Sequence, residues 1–123
     1  MHEDHEQLDQ DLIQLGHALD RGDHMSACLQ LAEFALRLDL YIRREERVLA
    51  MEPLSVVTPP RVVATVHREH TSLRQLVARI AAALDRADDT RCVDTLCKLR
   101  SVLMLHMAKE EMLLSHPASP TIH

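Results

Sequence analysis

The sequence predicts an all-α fold, an antiparallel up-down four-helix bundle, and three observations carry that prediction. Glycine is nearly absent, with two in 123 residues, while Leu, Ala, Arg and Glu abound; these residues lose least on entering a helix. Apolar positions recur at alternating spacings of three and four, the mark of one buried helix face. The chain also aligns with itself, without a gap, at an offset of 65 positions, as two structurally similar halves would.

The first helix carries its stripe at positions 5, 8, 12, 15 and 19, and the second at 31, 34, 38, 41, 45 and 48. Between them Arg21-Gly22-Asp23 reads as a tight turn, with Asp23 capping the second helix. Glu52-Pro53-Leu54 and Thr58-Pro59-Pro60 then break the pattern. A loop is expected there, with Pro60 in the first turn of the third helix. The third stripe runs through 70, 73, 77, 80 and 84, and the fourth through 96, 99, 103, 106, 110 and 113. Arg86-Ala87-Asp88-Asp89 joins them, and Asp88 or Asp89 is the expected cap. Two short turns and one longer link imply an up-down bundle over residues 1–116. The stretch 117–123, with Pro117 and Pro120, is expected to be an irregular tail.

The offset of 65 pairs His2, His5 and Leu8 with His67, His70 and Leu73, and Ala18-Leu19-Asp20-Arg21 with Ala83-Leu84-Asp85-Arg86. Glu45-Glu46-x-x-Leu49 falls on Glu110-Glu111-x-x-Leu114, and Tyr41 falls on His106. His17, His24, His116 and His123 have no histidine counterpart and read as surface residues.

A net charge of -5 offers no basic patch for nucleic acid and argues against binding anionic membranes. The apolar stretches are too short to span a bilayer, and the start MHEDHEQ lacks the pattern of a secretory signal. A cytoplasmic protein, monomeric or a small homo-oligomer, is expected. Cys28, Cys92 and Cys97 form no CxxC spacing and read as reduced thiols.

Six polar residues interrupt the apolar stripes: His5, Tyr41, Glu45, His70, His106 and Glu110. His5 and His70 each lie 17 residues before a turn centre, at 22 and 87, and Tyr41 and His106 each lie 19 after. At about 1.5 Å rise per residue, these four fall within roughly 3 Å of one level. Glu45 and Glu110 follow one turn later on the same faces. A core carboxylate left alone costs several kcal/mol, so this layer calls for a cation or a satisfied polar network. Imidazole and carboxylate without thiolate suit iron or manganese, with zinc possible, and bridging carboxylates suit two ions about 3–4 Å apart. His2 and His67 lie three residues before His5 and His70 and form a second tier of candidate ligands, with a role at the rim as the alternative. Glu46 and Glu111 fall beside the stripes and read as solvated ion-pairing residues.

The pattern resembles the hemerythrin-like, or HHE cation-binding, family. The matching stretches are Asp4-His5 with Leu8, Glu69-His70 with Leu73, Arg43 to Leu49 preceded by Tyr41, and His106-Met107-Ala108-Lys109-Glu110-Glu111. The resemblance implies that His5 and His70 each bind one iron, that Glu45 and Glu110 bridge the irons, and that His106 binds from the fourth helix. It also exposes two departures. Tyr41 stands where the family has the histidine of its first H-x-x-x-E, and His67 and His70 are three apart where hemerythrins proper have ligand histidines four apart.

A phenol binds as phenolate, an anionic hard donor that favours ferric iron, whereas reversible oxygen carriage needs a stable diferrous state. Tyr41 as ligand therefore points away from an oxygen carrier. It points toward a di-iron protein that binds or senses dioxygen, peroxide, nitric oxide or iron. The alternative for Tyr41 is packing, with its hydroxyl on Glu45 or Glu110. The alternatives for function are a di-iron oxidase or peroxidase and a metal-free or zinc-bound interaction module. A ferritin-like enzyme fits poorly, since its helices carry Glu-x-x-His.

Overall fold

The computed structural model describes the backbone of residues 2–115 and the side chains of residues 4–112. Helices α1 (His2–Asp20), α2 (His24–Ala50), α4 (Pro60–Asp85) and α5 (Asp89–Ser115) form the bundle, and the one-turn α3 (Leu54–Val57) lies in the central link. α1 packs on α2 and α5, and α4 packs on α5 and α2, so each long helix buries its stripe against two neighbours. The irregular tail expected from 117 onward lies outside the described residues.

Both hairpin turns are built alike. At the end of α1 the amide of Asp23 bonds to the Ala18 carbonyl and that of Gly22 to Leu19; at the end of α4 Asp88 bonds to Ala83 and Ala87 to Leu84. This pairing satisfies the last carbonyls of a helix and requires a left-handed residue just past its end. Gly22 supplies it at φ +69° and Ala87 at φ +54°. The aspartate that ends one helix then caps the next. Asp23 accepts from the amide of Ser26, and Asp88 from that of Arg91, each at 3.1 Å. Asp88 rather than Asp89 is thus the second cap. Pro60 begins α4 as expected.

The link differs from the expected loop because Leu54 has something to bury. It packs with Leu49 and Val66 in a small apolar cluster, and that burial supports one helical turn. The main core runs from Leu8 and Leu12 through Leu15, Phe34, Ile80 and Leu99, the last four fully shielded. Two expected stripe positions shift by one residue: Leu49 is buried where Val48 was expected, and Leu76 where Val77 was. A real helix drifts about 20° per heptad against a strict three-four pattern. Leu113 lies outside the described side chains. Cys92 is buried, Cys28 and Cys97 are exposed, and all three are free thiols. Among the described residues no helix is long and apolar enough to cross a membrane.

Candidate metal centre

All six polar stripe residues meet in one buried layer, each between 1 and 7% exposed. His70 Nε2 and His106 Nε2 lie 2.5 and 2.8 Å from the same oxygen, Glu45 Oε1. Opposite them, His5 Nε2 lies 2.7 Å from Glu110 Oε1, and the Tyr41 hydroxyl donates to that same oxygen. The rings stand edge to face, with centroids 5.0 Å apart for His70 and His106 and 5.7 Å for His5 and Tyr41. Each glutamate therefore takes two partners from two different helices.

The outer nitrogens are held as well. His106 Nδ1 lies 2.7 Å from Glu69 Oε1, His70 Nδ1 lies 2.9 Å from Glu46 Oε2, and His5 Nδ1 lies 3.3 Å from Glu111 Oε2. A carboxylate only accepts, so each Nδ1 donates outward, and each Nε2 that meets Glu45 or Glu110 either donates as well or shares a cation with that oxygen. Such outward bonds are how metal-ligating histidines are oriented and their basicity raised. An inward lone pair at 2.5–2.8 Å from a carboxylate oxygen is repulsive unless a proton or a cation lies with it. Glu110 Oε2 adds a buried oxygen with no hydrogen-bond partner, a group that such a cation would satisfy.

Electrostatics sort the two glutamates. Burial pushes Glu45 up, but hydrogen bonds from His106 and His70 outweigh it and hold the carboxyl down at about 2. Burial also acts on Glu110, opposed by hydrogen bonds from Tyr41 and His5, and with the neighbouring Glu45 charge it leaves this carboxyl above its ordinary range. For His106 burial disfavours the charged ring, yet the bonds to Glu45 and Glu69 prevail and raise it. Burial first, then the charges of Glu45 and Glu110, keep the Tyr41 phenol protonated far above its usual range.

His67 turns away from the layer. It is exposed, and its Nδ1 lies 3.2 Å from Glu46 Oε2, on the outer side of His70. Glu46, His67 and His70 together form a second group with metal-ligand spacing, beside the buried group of Glu45, His70 and His106, whose ligand atoms lie within 4.8 Å of one another. The side chain of His2 lies outside the described residues. His17 and His24 are exposed as expected, and His24 bonds to Asp89 at 2.8 Å; His116 and His123 are not described.

Sequence reasoning misjudged Glu46 and Glu111 and noted Glu69 only as part of the Glu69-His70 match. Glu46 and Glu111 are not merely solvated ion-pairing residues, since each backs an imidazole, and Glu69 backs His106 while pairing with Lys109 at 2.6 Å. The repeat of the dipeptide Glu-Glu at 45–46 and 110–111 was the available signal. Asp11 also escaped notice: it is 2% exposed and accepts from Arg37 at 2.5 Å and Gln7 at 3.2 Å.

A pocket of about 890 Å³ reaches the layer from outside, with Glu45, His106 and Glu110 at its floor. Three imidazoles, two carboxylates and a phenol without thiolate fit a hard to borderline transition-metal cation, and three of the six groups line the pocket. The amino-acid pattern matches the hemerythrin HHE cation binding domain over residues 1–114. The chain belongs to that family. Comparison with curated proteins and with solved structures gave no match. Among the described residues of this HHE domain two His/Glu groups have a spacing that could hold a metal ion, and the layer contains the buried one.

Proposed function

We propose that the protein is a non-haem di-iron protein that binds or senses dioxygen, peroxide, nitric oxide or iron itself, rather than carrying oxygen. The observation that carries this reading is the pairing of each core glutamate with two ligand-type groups, His70 and His106 on Glu45 and His5 and Tyr41 on Glu110. Two such clusters in one layer would supply donors for two ions, with Glu45 and Glu110 as the carboxylates that would hold them. Iron, when bound, would supply redox chemistry and affinity for small oxidants or diatomic ligands.

The protein's own part is to hold that layer oriented. Glu46, Glu69 and Glu111 fix the three imidazoles through their outer nitrogens, and the surrounding leucines shield the layer on its core side. Tyr41 sets the balance of oxidation states. Burial and two carboxylate charges hold its proton in place, and a cation beside the oxygen would favour its release. As a phenolate ligand Tyr41 would favour ferric over ferrous iron, which disfavours reversible oxygen carriage.

Metal analysis and the visible spectrum of the purified protein test the reading, repeated on Tyr41→Phe. Two irons per chain and a broad visible band that disappears in the variant are expected. A protein that stays colourless and iron-free after anaerobic reconstitution would sink it.

A further inference from the structure

The pocket above the layer is far larger than the ligands named so far. A water-sized molecule takes about 30 Å³, and a diatomic is of that order, whereas about 890 Å³ lies open here. That volume belongs to pockets for organic ligands, which run from about 300 to 1,000 Å³. Its wall is chiefly aliphatic, from Leu54, Val57, Val62, Val66 and Met112. Leu54 and Val66 are buried there, and Val57 and Met112 expose more than half of their surface.

Charge along the pocket is graded. At the floor stand the carboxylates of Glu45 and Glu110, and along the sides lie Arg61, Arg68 and Lys109. Arg61, Thr65 and Arg68 recur at four and three on the outer face of α4, linked by bonds from Arg68 to Thr65 (3.1 Å) and from Thr65 to the Arg61 carbonyl (2.9 Å). Lys109 is neutralised by Glu69 at 2.6 Å. Arg61 and Arg68 have no carboxylate partner among the described residues, although the chain as a whole is acidic at -5.

We infer that this pocket binds an amphipathic organic anion, an aliphatic carboxylate that enters tail first. Its chain packs on the aliphatic wall, its head is held at the mouth by Arg61 and Arg68, and in the metal-free protein the floor carboxylates repel the opposite orientation. What the tail faces is taken from the di-iron reading above; the pocket and its charge gradient stand without it.

The test is calorimetric titration of the full-length protein, metal-free and iron-loaded, with hexanoate, octanoate and decanoate, and with decanol and decylamine as controls. Saturable one-to-one binding is expected, tightening by about fourfold for each added methylene that is buried. Arg61→Gln combined with Arg68→Gln, both at exposed positions, should weaken decanoate by about fivefold to tenfold and leave decanol unchanged. Val62→Trp, at a half-buried wall position, should abolish both. Affinity that does not rise with chain length, decylamine binding as well as decanoate, or an unaffected arginine variant would each overturn the inference. Decanoate binding by a protein that takes up no iron would remove the metal reading and leave the pocket; iron uptake without decanoate binding in either form would do the reverse.

Discussion

Glu45 and Glu110 stand on α2 and α5, each one turn beyond an aromatic residue and each buried to within 3% of full shielding. Glu45 faces two imidazoles and is held ionised, down at about 2. Glu110 faces one imidazole and a phenol, keeps an oxygen without a partner, and is pushed above its ordinary range. Depth and carboxylate are the same, so the difference comes from one substitution: Tyr41 occupies the place that His106 has in the other cluster. A phenol carries a proton that it releases only to a strong cation, while an imidazole offers a lone pair at neutral pH. The layer is therefore two unequal half-sites. On the proposed di-iron reading, the cluster around Glu45 would bind a cation through two imidazoles, and the one around Glu110 would do so only as the Tyr41 proton is displaced.

The hardest blow to that comparison falls on the half-site around Glu45. His70→Ala removes the imidazole that touches Glu45 at 2.5 Å and is backed by Glu46. Iron content should fall from two per chain to one or none, and affinity by more than about 100-fold, beyond what loss of an outer partner costs. Metal analysis after dialysis against a graded chelator reads this. Retention of two tightly held irons in His70→Ala would mean that the cluster around Glu45 is not the primary site.

A finer cut compares the outer carboxylates. Glu69 and Asp4 occupy corresponding places, and each takes a cation from the helix opposite: Lys109 bonds to Glu69 and Arg44 to Asp4. Only Glu69 also backs an imidazole, because Asp4 would have to reach a tyrosine. Glu69→Gln should therefore lower iron affinity by about 10–100-fold, whereas Asp4→Asn should change it by less than about threefold, as expected for an exposed ion pair. Equal effects would show that the outer pairs act through general charge and not through the histidine.

The fold was legible because its causes are local. Period, turn residues and caps each act within a few positions, and Asp23 and Pro60 do in the structure what their places in the sequence suggest. The buried polar layer was legible because polar residues on an apolar stripe are costly and therefore conspicuous. What stayed hidden depends on contacts between helices. Glu46, Glu69 and Glu111 reach histidines 24, 37 and 106 residues away, and no local pattern separates them from surface acids. The pocket likewise arises where α3 and the start of α4 stand off from α5, which no spacing records.

Asp11 marks a further inequality between the halves, for its place at the offset of 65 is taken by Leu76. The aspartate is buried with one oxygen unpartnered, while its partner Arg37 remains two-fifths exposed. Replacing a buried ion pair by apolar residues is often neutral or stabilising, and here Arg37, already partly exposed, can regain solvent when the aspartate alone is replaced. Asp11→Leu is expected to raise stability by about 1 kcal/mol in urea unfolding, with Arg37 left free to turn to solvent or to Glu33. Asp11→Ala, which leaves a void instead, should lower it by a similar amount. A large loss in the leucine variant would show that the ion pair fixes the register of α1 on α2.

The smallest effect is expected where the halves differ by one Cβ. Gly22 and Ala87 hold the same left-handed place in the two turns, at φ +69° and +54°. That conformation costs a non-glycine residue about 1–2 kcal/mol, partly offset because glycine leaves the unfolded chain more freedom, by about 0.4–1 kcal/mol. Ala87→Gly should therefore stabilise the protein by about 0.5–1 kcal/mol and Gly22→Ala destabilise it by about as much. A Cβ added at Gly22 meets nothing within 4 Å, so no packing change obscures the backbone effect. Both variants lie at the end of the bundle away from the ligand layer and should bind iron as the parent does. Thermal unfolding of the pair, read against the parent, decides the matter: shifts of the same sign would refute the turn geometry, and opposite shifts of similar size would establish that Ala87 stores the cost which Gly22 avoids.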